Sequence, residues 1–241
     1  MGSIIDDRGY NQGFELVKST EIRMKRRAEW ILREMDSVQG KTVLEIGCGT
    51  GEISYWIAQK TKLDVLGTDL CVPFIEDAQV KYPLDNLRFE VLDFNKPEQV
   101  KGRKFDYIIG NGILHHLYYH LPEALATIKT LLTPGGKMIF MEPNIYNPYC
   151  ALIFNIPALR KKARLEPDEM AFSKSFITAK LKEQNFSNIR VDYRDFLLPG
   201  VPDFAIRPSI LIGNVVEKIP VLNMVAQSIF ITAQNQGTTY R

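Results

Sequence analysis

The sequence has few cysteines, no long hydrophobic run and little excess charge, and each shortage excludes a class of protein. Its 241 residues include three cysteines, Cys48, Cys71 and Cys150, whose spacing suits neither a disulfide framework nor a metal site. No stretch reaches the roughly 18 apolar residues of a membrane-spanning helix. The polar first ten residues lack the apolar core of a signal peptide. We therefore expect a cytoplasmic protein.

The composition is that of a chain that packs a core. Hydrophobic residues make up 45% and charged residues 24% of the sequence, and the net charge of +2 does not by itself indicate nucleic-acid binding. We predict a single domain over residues 1–241. Residues 1–38 are expected to form an N-terminal helix and lid. The segments 144–170 and 196–224 interrupt the regular pattern and are expected to be insertions on the substrate side.

The most informative pattern is a strand, a glycine-rich turn and a helix in residues 42–58. Gly47, Gly49 and Gly51 follow an apolar strand at alternate positions, and glycine allows both a tight turn and close approach of a ligand. Glu45 precedes the turn, and a carboxylate there disfavours a phosphate ligand. It suits a ligand with positive charge and hydroxyl groups. The dinucleotide spacing Gly-x-Gly-x-x-Gly is absent, because residue 52 is Glu.

This motif resembles motif I of the class I S-adenosylmethionine-dependent methyltransferases, in particular those that act on small molecules. The resemblance extends from about Thr42 to about Pro143. It implies an enzyme with S-adenosyl-L-methionine as cofactor and a Rossmann-like α/β fold, a seven-stranded mostly parallel sheet with an antiparallel last strand. Five strand–helix alternations in the chain independently predict a doubly wound parallel sheet.

The resemblance also implies a set of cofactor contacts. Asp69, about twenty residues beyond the turn, matches the acid that accepts hydrogen bonds from the ribose hydroxyls; the alternative is a cap for the next helix. Asp93 matches the acid that accepts from the adenine amino group, and the alternative is a solvent-facing loop residue. The predicted cofactor-binding residues are Glu45, Gly47, Cys48, Gly49, Gly51, Asp69, Leu70, Asp93, Phe94 and Asn111.

Methyl transfer from a sulfonium is an in-line displacement that requires alignment and exclusion of water. A base is needed only for a protonated, weakly acidic nucleophile. His115 and His116 follow the fourth strand and are the predicted catalytic residues, with a structural role as the alternative. We expect no metal site, because no nearby cysteine or acid has ligand spacing. Glu142, Tyr146 and Tyr10 are the predicted substrate contacts, although Glu142 could equally be a cap or an ion-pair partner.

The predicted function is methylation of a small, hydrophobic metabolite, lipid or carbohydrate. The apolar insertions motivate this prediction and also suggest a peripheral contact with a membrane. The alternatives are RNA or protein methylation, supported only by the basic runs at 23–27 and 160–164, and a non-catalytic cofactor-binding subunit. We expect no nucleic-acid partner. The run at 23–27 is predicted to be a solvated face of a helix capped by Ser19 or Thr20, with contact to an anionic substrate or a membrane as the alternative.

Overall fold

The computed structural model describes residues 17–94, 96–100, 102–198 and 200–236. Predicted substrate contact Tyr10 lies outside the described residues, as do residues 1–16 of the predicted N-terminal helix and lid. Within the described part, no helix is long and apolar enough to cross a membrane.

A seven-stranded sheet forms the centre of the molecule. The strands run in the order β3-β2-β1-β4-β5-β7-β6. β7 is antiparallel to both of its neighbours, whereas the pairs from β3 to β5 are parallel. The predicted fold, including the antiparallel last strand, is confirmed. The strands are β1 (Thr42–Ile46), β2 (Asp64–Asp69), β3 (Leu87–Val91), β4 (Phe105–Asn111), β5 (Leu132–Pro143), β6 (Phe186–Arg194) and β7 (Ser228–Asn235).

Helices cover both faces of this sheet. Neighbouring residues Val43 and Leu44 of β1 belong to two different hydrophobic clusters, because successive side chains of a strand point to opposite faces. The described helices are α1 (Lys18–Leu32), α2 (Glu52–Lys60), α3 (Val72–Lys81), α4 (Pro97–Val100), α5 (Leu121–Leu131), α6 (Pro148–Asn155), α7 (Pro157–Lys162), α8 (Lys174–Glu183) and α9 (Asp203–Val216), with 3-10 helices at Leu114–His120 and Leu222–Val225.

The strand order places the candidate site. β1 pairs with β2 on one side and with β4 on the other, so the order of strands reverses at β1. In open α/β sheets, ligands bind at such a switch point, beyond the carboxyl ends of the strands. The glycine turn after β1 and Asn111 at the end of β4 both lie there.

The first helix differs from the prediction in two ways. It begins after Val17, which gives no side-chain cap, and Ser19 is buried, so capping by Ser19 or Thr20 is wrong. Arg23 and Arg27 are only 8% and 6% exposed, so this part of the basic run is not a solvated face. The prediction of a solvated face failed because buried arginines can be paired with acids that lie far away in the sequence.

The two predicted insertions contain helices at the carboxyl edge of the sheet. Segment 144–170 follows β5 and includes α6 and α7, whereas segment 196–224 follows β6 and includes α9. Two asparagines join the segments: Asn144 donates from Nδ2 to the carbonyl of Met224 at 2.8 Å, and Asn147 to that of Val225 at 2.7 Å. Whether the segments contact substrate stays a prediction.

Candidate active site

The turn between β1 and α2 requires its glycines. Gly47, Gly49 and Gly51 have φ values of +66°, +53° and +84°, a region that side chains with a Cβ rarely adopt. A Cβ on Gly47 would lie 2.7 Å from Cδ1 of Ile113, and one on Gly51 would lie 2.7 Å from the Phe89 ring. These two positions leave no room for a side chain, whereas a Cβ on Gly49 would meet no atom within 4 Å, so the turn forms an open cradle for a ligand beside Gly49.

Two carboxylates converge on this cradle. Glu45 is 2% exposed and accepts a 2.5 Å hydrogen bond from Oγ of Ser54. Burial raises the pKa of Glu45 to about 8. Asp69 accepts from the backbone N–H of Gly49 at 2.9 Å and from that of Cys71 at 2.8 Å. An acidic cradle of this kind is suited to a cationic ligand with hydroxyl groups.

A cavity beside the turn brings together about half of the predicted site residues. Met24, Thr50, Phe74 and Ile113 also line it, and sequence reasoning missed them. Gly51 acts at the beginning of α2, outside the wall of the cavity. The predicted residues that line the cavity are Glu45, Gly47, Cys48, Gly49, Asp69, Asn111 and His116.

The predicted adenine contacts lie apart from that wall. The carboxylate of Asp93 is 3.4 Å from the Lys96 ammonium. Phe94 is 8% exposed and packs in a hydrophobic core cluster with Leu92. Leu70 is half-buried. The adenine role of these residues stays a prediction.

Glu142 is 1% exposed and binds His115, the first of the two histidines. Its carboxylate accepts from the backbone N–H groups of Ile113, Leu114 and His115 at 3.2, 2.9 and 3.3 Å. It also lies 2.9 Å from Nδ1 of His115. Of the roles predicted for Glu142, capping and pairing with a basic side chain are the ones present in the structure. Its predicted contact with substrate is untested, as is that of Tyr146, which is 48% exposed at the beginning of α6.

His116 lies at the cavity wall and pairs with an acid that sequence reasoning missed. Its Nδ1 is 3.0 Å from Oε1 of Glu169. Burial alone would lower the pKa of His116, but the hydrogen bond and charge of Glu169 outweigh it and raise the pKa. Burial would raise the pKa of Glu169, yet His116 lowers it for the same reason. Glu169 lies 53 residues after His116 in an irregular segment, so no local pattern could have indicated this pair.

The segment that bears Glu169 is fixed to its surroundings. The N–H of Met170 donates to the carbonyl of His115 at 3.2 Å, and Arg160 donates to the carbonyl of Glu169 at 3.0 Å. His115, His116 and Glu169 have donor atoms within 4.8 Å of one another, an arrangement that can hold a metal ion. The sequence argument against a metal considered only acids close along the chain, and Glu169 removes that argument.

A buried ionic cluster supports the cavity wall at Asn111. Asp195, which is 1% exposed, accepts from Arg27 at 2.8 Å and from Arg23 at 3.3 Å. Burial would raise the pKa of Asp195, but the two arginines lower it. Arg27 also donates from Nη1 to Oδ1 of Asn111 at 2.6 Å. Helix α1 thus holds a residue of the cavity wall through one guanidinium.

Comparison with known proteins decides the family. A methyltransferase-domain family model matches residues 37–188, more than half of the chain. The chain belongs to the S-adenosylmethionine-dependent methyltransferases. This methyltransferase is therefore an enzyme whose cofactor is S-adenosyl-L-methionine, as predicted.

Its curated relatives include much longer proteins. It is 24% identical over 187 residues to probable polyketide synthase 32 of Dictyostelium discoideum, a match that covers 66% of this chain and 6% of the synthase. It is 30% identical over 112 residues to the lovastatin nonaketide synthase of Monascus pilosus, covering 43% of this chain and 4% of that protein. The methyltransferase thus spans a small part of the length of these relatives.

Solved structures share its fold. The CurJ carbon methyltransferase superposes with a TM-score of 0.61 at 22% identity, over 92% of this chain and 56% of that one. Magnesium protoporphyrin IX methyltransferase from Synechocystis PCC 6803, solved with bound S-adenosylhomocysteine, has a TM-score of 0.59 at 16% identity, over 90% of this chain and 83% of that one. At these identities the likeness establishes the fold alone.

Proposed function

We propose that this methyltransferase methylates a small, lipophilic acceptor at a weakly acidic carbon, such as one next to a carbonyl group. The observation that carries the proposal is the juxtaposition, in one cavity wall, of the acidic glycine cradle and a histidine paired with a carboxylate. A weakly acidic carbon must lose a proton before it attacks the methyl group, so a base is required. The polyketide synthase relatives and the carbon methyltransferase with the same fold support the choice of carbon.

The charged groups of the cradle support this choice of cofactor. Asp69 is proposed to hold the ribose hydroxyls, since each oxygen of its carboxylate can accept a hydrogen bond. Asp69 and Glu52 line the cavity, and their carboxylates favour the ammonium and the sulfonium, whereas Glu45, whose pKa burial raises to about 8, contributes charge only where it ionises. Asn111 is proposed to contact the methionine part. When bound, the cofactor supplies an electrophilic methyl group.

His116 is the proposed base. If its Nδ1–H donates to Glu169, Nε2 is the ring atom that can accept the proton of the acceptor. Glu169 holds the ring in this tautomer and stabilises the imidazolium that forms. His115 is the second candidate, but its Nδ1 is bound to Glu142 and it lies behind His116, with ring centroids 4.2 Å apart.

The experiment is a methyl-transfer assay with isotopically labelled cofactor and short β-ketoacyl thioesters, with phenols and amines as comparison acceptors. We expect methylation at the carbon between the two carbonyls of the thioester, identified by mass spectrometry and NMR. Calorimetry with S-adenosylhomocysteine tests the cofactor site separately. Methylation only of the phenols or amines would reject the carbon acceptor while leaving the cofactor site intact.

A chelator distinguishes the base from a metal site. If His116 is a base held in place by Glu169, activity after dialysis against EDTA is unchanged and the protein contains no stoichiometric metal by elemental analysis. Loss of activity that a divalent metal restores would instead assign the three-residue group to metal binding.

The structure weakens the case for RNA or protein methylation. That alternative depended on two basic runs, and Arg23 and Arg27 of the first run are buried against Asp195. In the second run, Arg160 donates to backbone carbonyls of its own loop. These three arginines are therefore not placed to contact RNA phosphates, and of the second run Lys161 and Lys162 stay exposed.

A further inference from the structure

Helix α9 exposes the apolar side that a surface helix normally buries. Phe204, Leu211 and Val215 follow one another at spacings of seven and four residues and are 84%, 67% and 60% exposed. Ile212 beside them is 63% exposed, whereas Ile206 and Gly213 on the other side are buried. In a globular protein the apolar stripe of a helix faces the core. Within the described part of the chain, this stripe is left uncovered.

The apolar surface continues beyond α9. The bonds from Asn144 and Asn147 to the carbonyls of Met224 and Val225 place the segment after α9 against the beginning of α6. We call the combined surface the apolar face. Besides the α9 stripe it includes six residues that are all at least 41% exposed: Tyr146, Tyr149, Leu152, Val221, Leu222 and Val225.

The charges beside the apolar face are predominantly positive. Residues 144–165 contain four cationic side chains and no acidic one, and of the three acids that follow, Glu166 and Glu169 lie against His116 and Asp168 is exposed. Lys161 and Lys162 are exposed at the end of α7. In the other segment, Arg207 of α9 and Lys218 after it are also exposed. The acids of the α9 segment have cationic partners, since Asp203 pairs with Lys18 and Glu217 with Arg194. A negatively charged partner is therefore favoured.

We propose that the apolar face binds the surface of an anionic lipid bilayer. Exposed aliphatic residues with tyrosines and a cationic border are the composition of segments that lie in the bilayer interface. Lysines near an anionic surface add attraction that salt screens. The face lies at the carboxyl edge of the sheet, since α6 follows β5 and α9 follows β6, and the cofactor cavity opens at the same edge. Binding to lipid would thus bring the cavity close to molecules dissolved in the membrane.

The test is co-sedimentation of the full chain with vesicles of phosphatidylcholine, with and without phosphatidylglycerol, at low and high salt. We expect the protein to bind vesicles that contain phosphatidylglycerol at low salt. The double variant L211S/V215S should bind at least about tenfold more weakly, because two exposed aliphatic side chains are lost. The control V38S/V80S removes two exposed valines elsewhere, 54% and 83% exposed, and should bind like the unmodified protein.

Replacing exposed lysines gives a second, independent test of the proposal. The variant K161A/K162A should lose binding to anionic vesicles, while K62A, at an exposed lysine in the α2–β2 loop, should not. Thermal melts establish that each variant is folded. Equal sedimentation with and without vesicles, or unchanged binding of L211S/V215S, would overturn the proposal. A dimer in light scattering that L211S/V215S dissociates, without vesicle binding, would assign the face to a second copy instead.

Discussion

Replacing Asp195 with alanine removes the anion that holds two buried arginines. Asp195 is 1% exposed, and the side chains of Arg23 and Arg27 are 10% and 8% exposed. Without the carboxylate, the two guanidinium groups repel each other in a region with little water. Loss of one partner of a buried pair costs about 3–5 kcal/mol. For a chain of this size we therefore expect the melting temperature to fall by about 6–20 °C.

Asp203 provides the matched control. Its carboxylate also pairs with α1, at 2.8 Å from Lys18, but the two side chains are 64% and 61% exposed. Solvent screens an exposed pair, so Asp203→Ala should cost at most about 1 kcal/mol. Urea denaturation at neutral pH compares both variants with the unmodified protein. Equal losses of unfolding free energy for Asp195→Ala and Asp203→Ala would refute the argument from burial.

The same cluster predicts a pH dependence of stability. The two arginines lower the pKa of folded Asp195 below its ordinary value of 3.8. The resulting stabilisation is fully present above that ordinary value and is lost as the pH falls through the lower, folded pKa. Asp195→Ala should therefore be destabilised most at neutral pH, and the difference from the unmodified protein should shrink in acid. A difference that grows toward low pH would contradict the assignment.

Four further predictions concern the site. Asp69→Ala should weaken S-adenosylhomocysteine binding by about 1–3 kcal/mol in calorimetry; unchanged affinity would mean that the ribose assignment is misplaced. His116→Ala should slow turnover by ~10²–10⁴-fold and keep cofactor affinity, whereas the exposed control His120→Ala should keep both. Glu169→Gln should move the acidic limb of the pH profile of kcat/KM to lower pH, because the carboxylate that raises the pKa of His116 is gone. An unmoved limb would contradict the pairing of His116 with Glu169. Glu45→Gln should stabilise the cofactor-free protein as the pH rises toward the Glu45 pKa of about 8, because the buried carboxyl no longer ionises. The same variant should bind the cofactor more weakly. A melting temperature below that of the unmodified protein at that pH would contradict the burial of an ionisable Glu45.

Local patterns predicted the part of the site that depends on neighbouring residues. The alternation of apolar strands and helices indicated the sheet, and three glycines at alternate positions indicated the turn, since both reflect steric limits within a few residues. Asp69 could be placed because it ends the next strand, and Asn111 because it ends β4. These positions follow from chain order once the fold is known.

Long-range partners could not be predicted in this way. The Glu169 carboxylate reaches His116 only because the loop after α7 folds back onto the 3-10 helix. Asp195 meets Arg27 across 168 positions of the chain, so a basic run that suggested a solvated face is buried instead. Neither contact produces a repeating sequence pattern around the residues that make it, so neither could be predicted from local sequence.

By itself, the sequence indicated the alternation of strands and helices and the glycine turn, because backbone sterics and hydrophobic periodicity act over a few residues, and its resemblance to a known family indicated the cofactor. Tertiary structure alone decided which acid pairs with which histidine or arginine, and that the apolar side of α9 faces outward. Those outcomes depend on how distant segments pack against one sheet edge, and packing is a property of the whole chain.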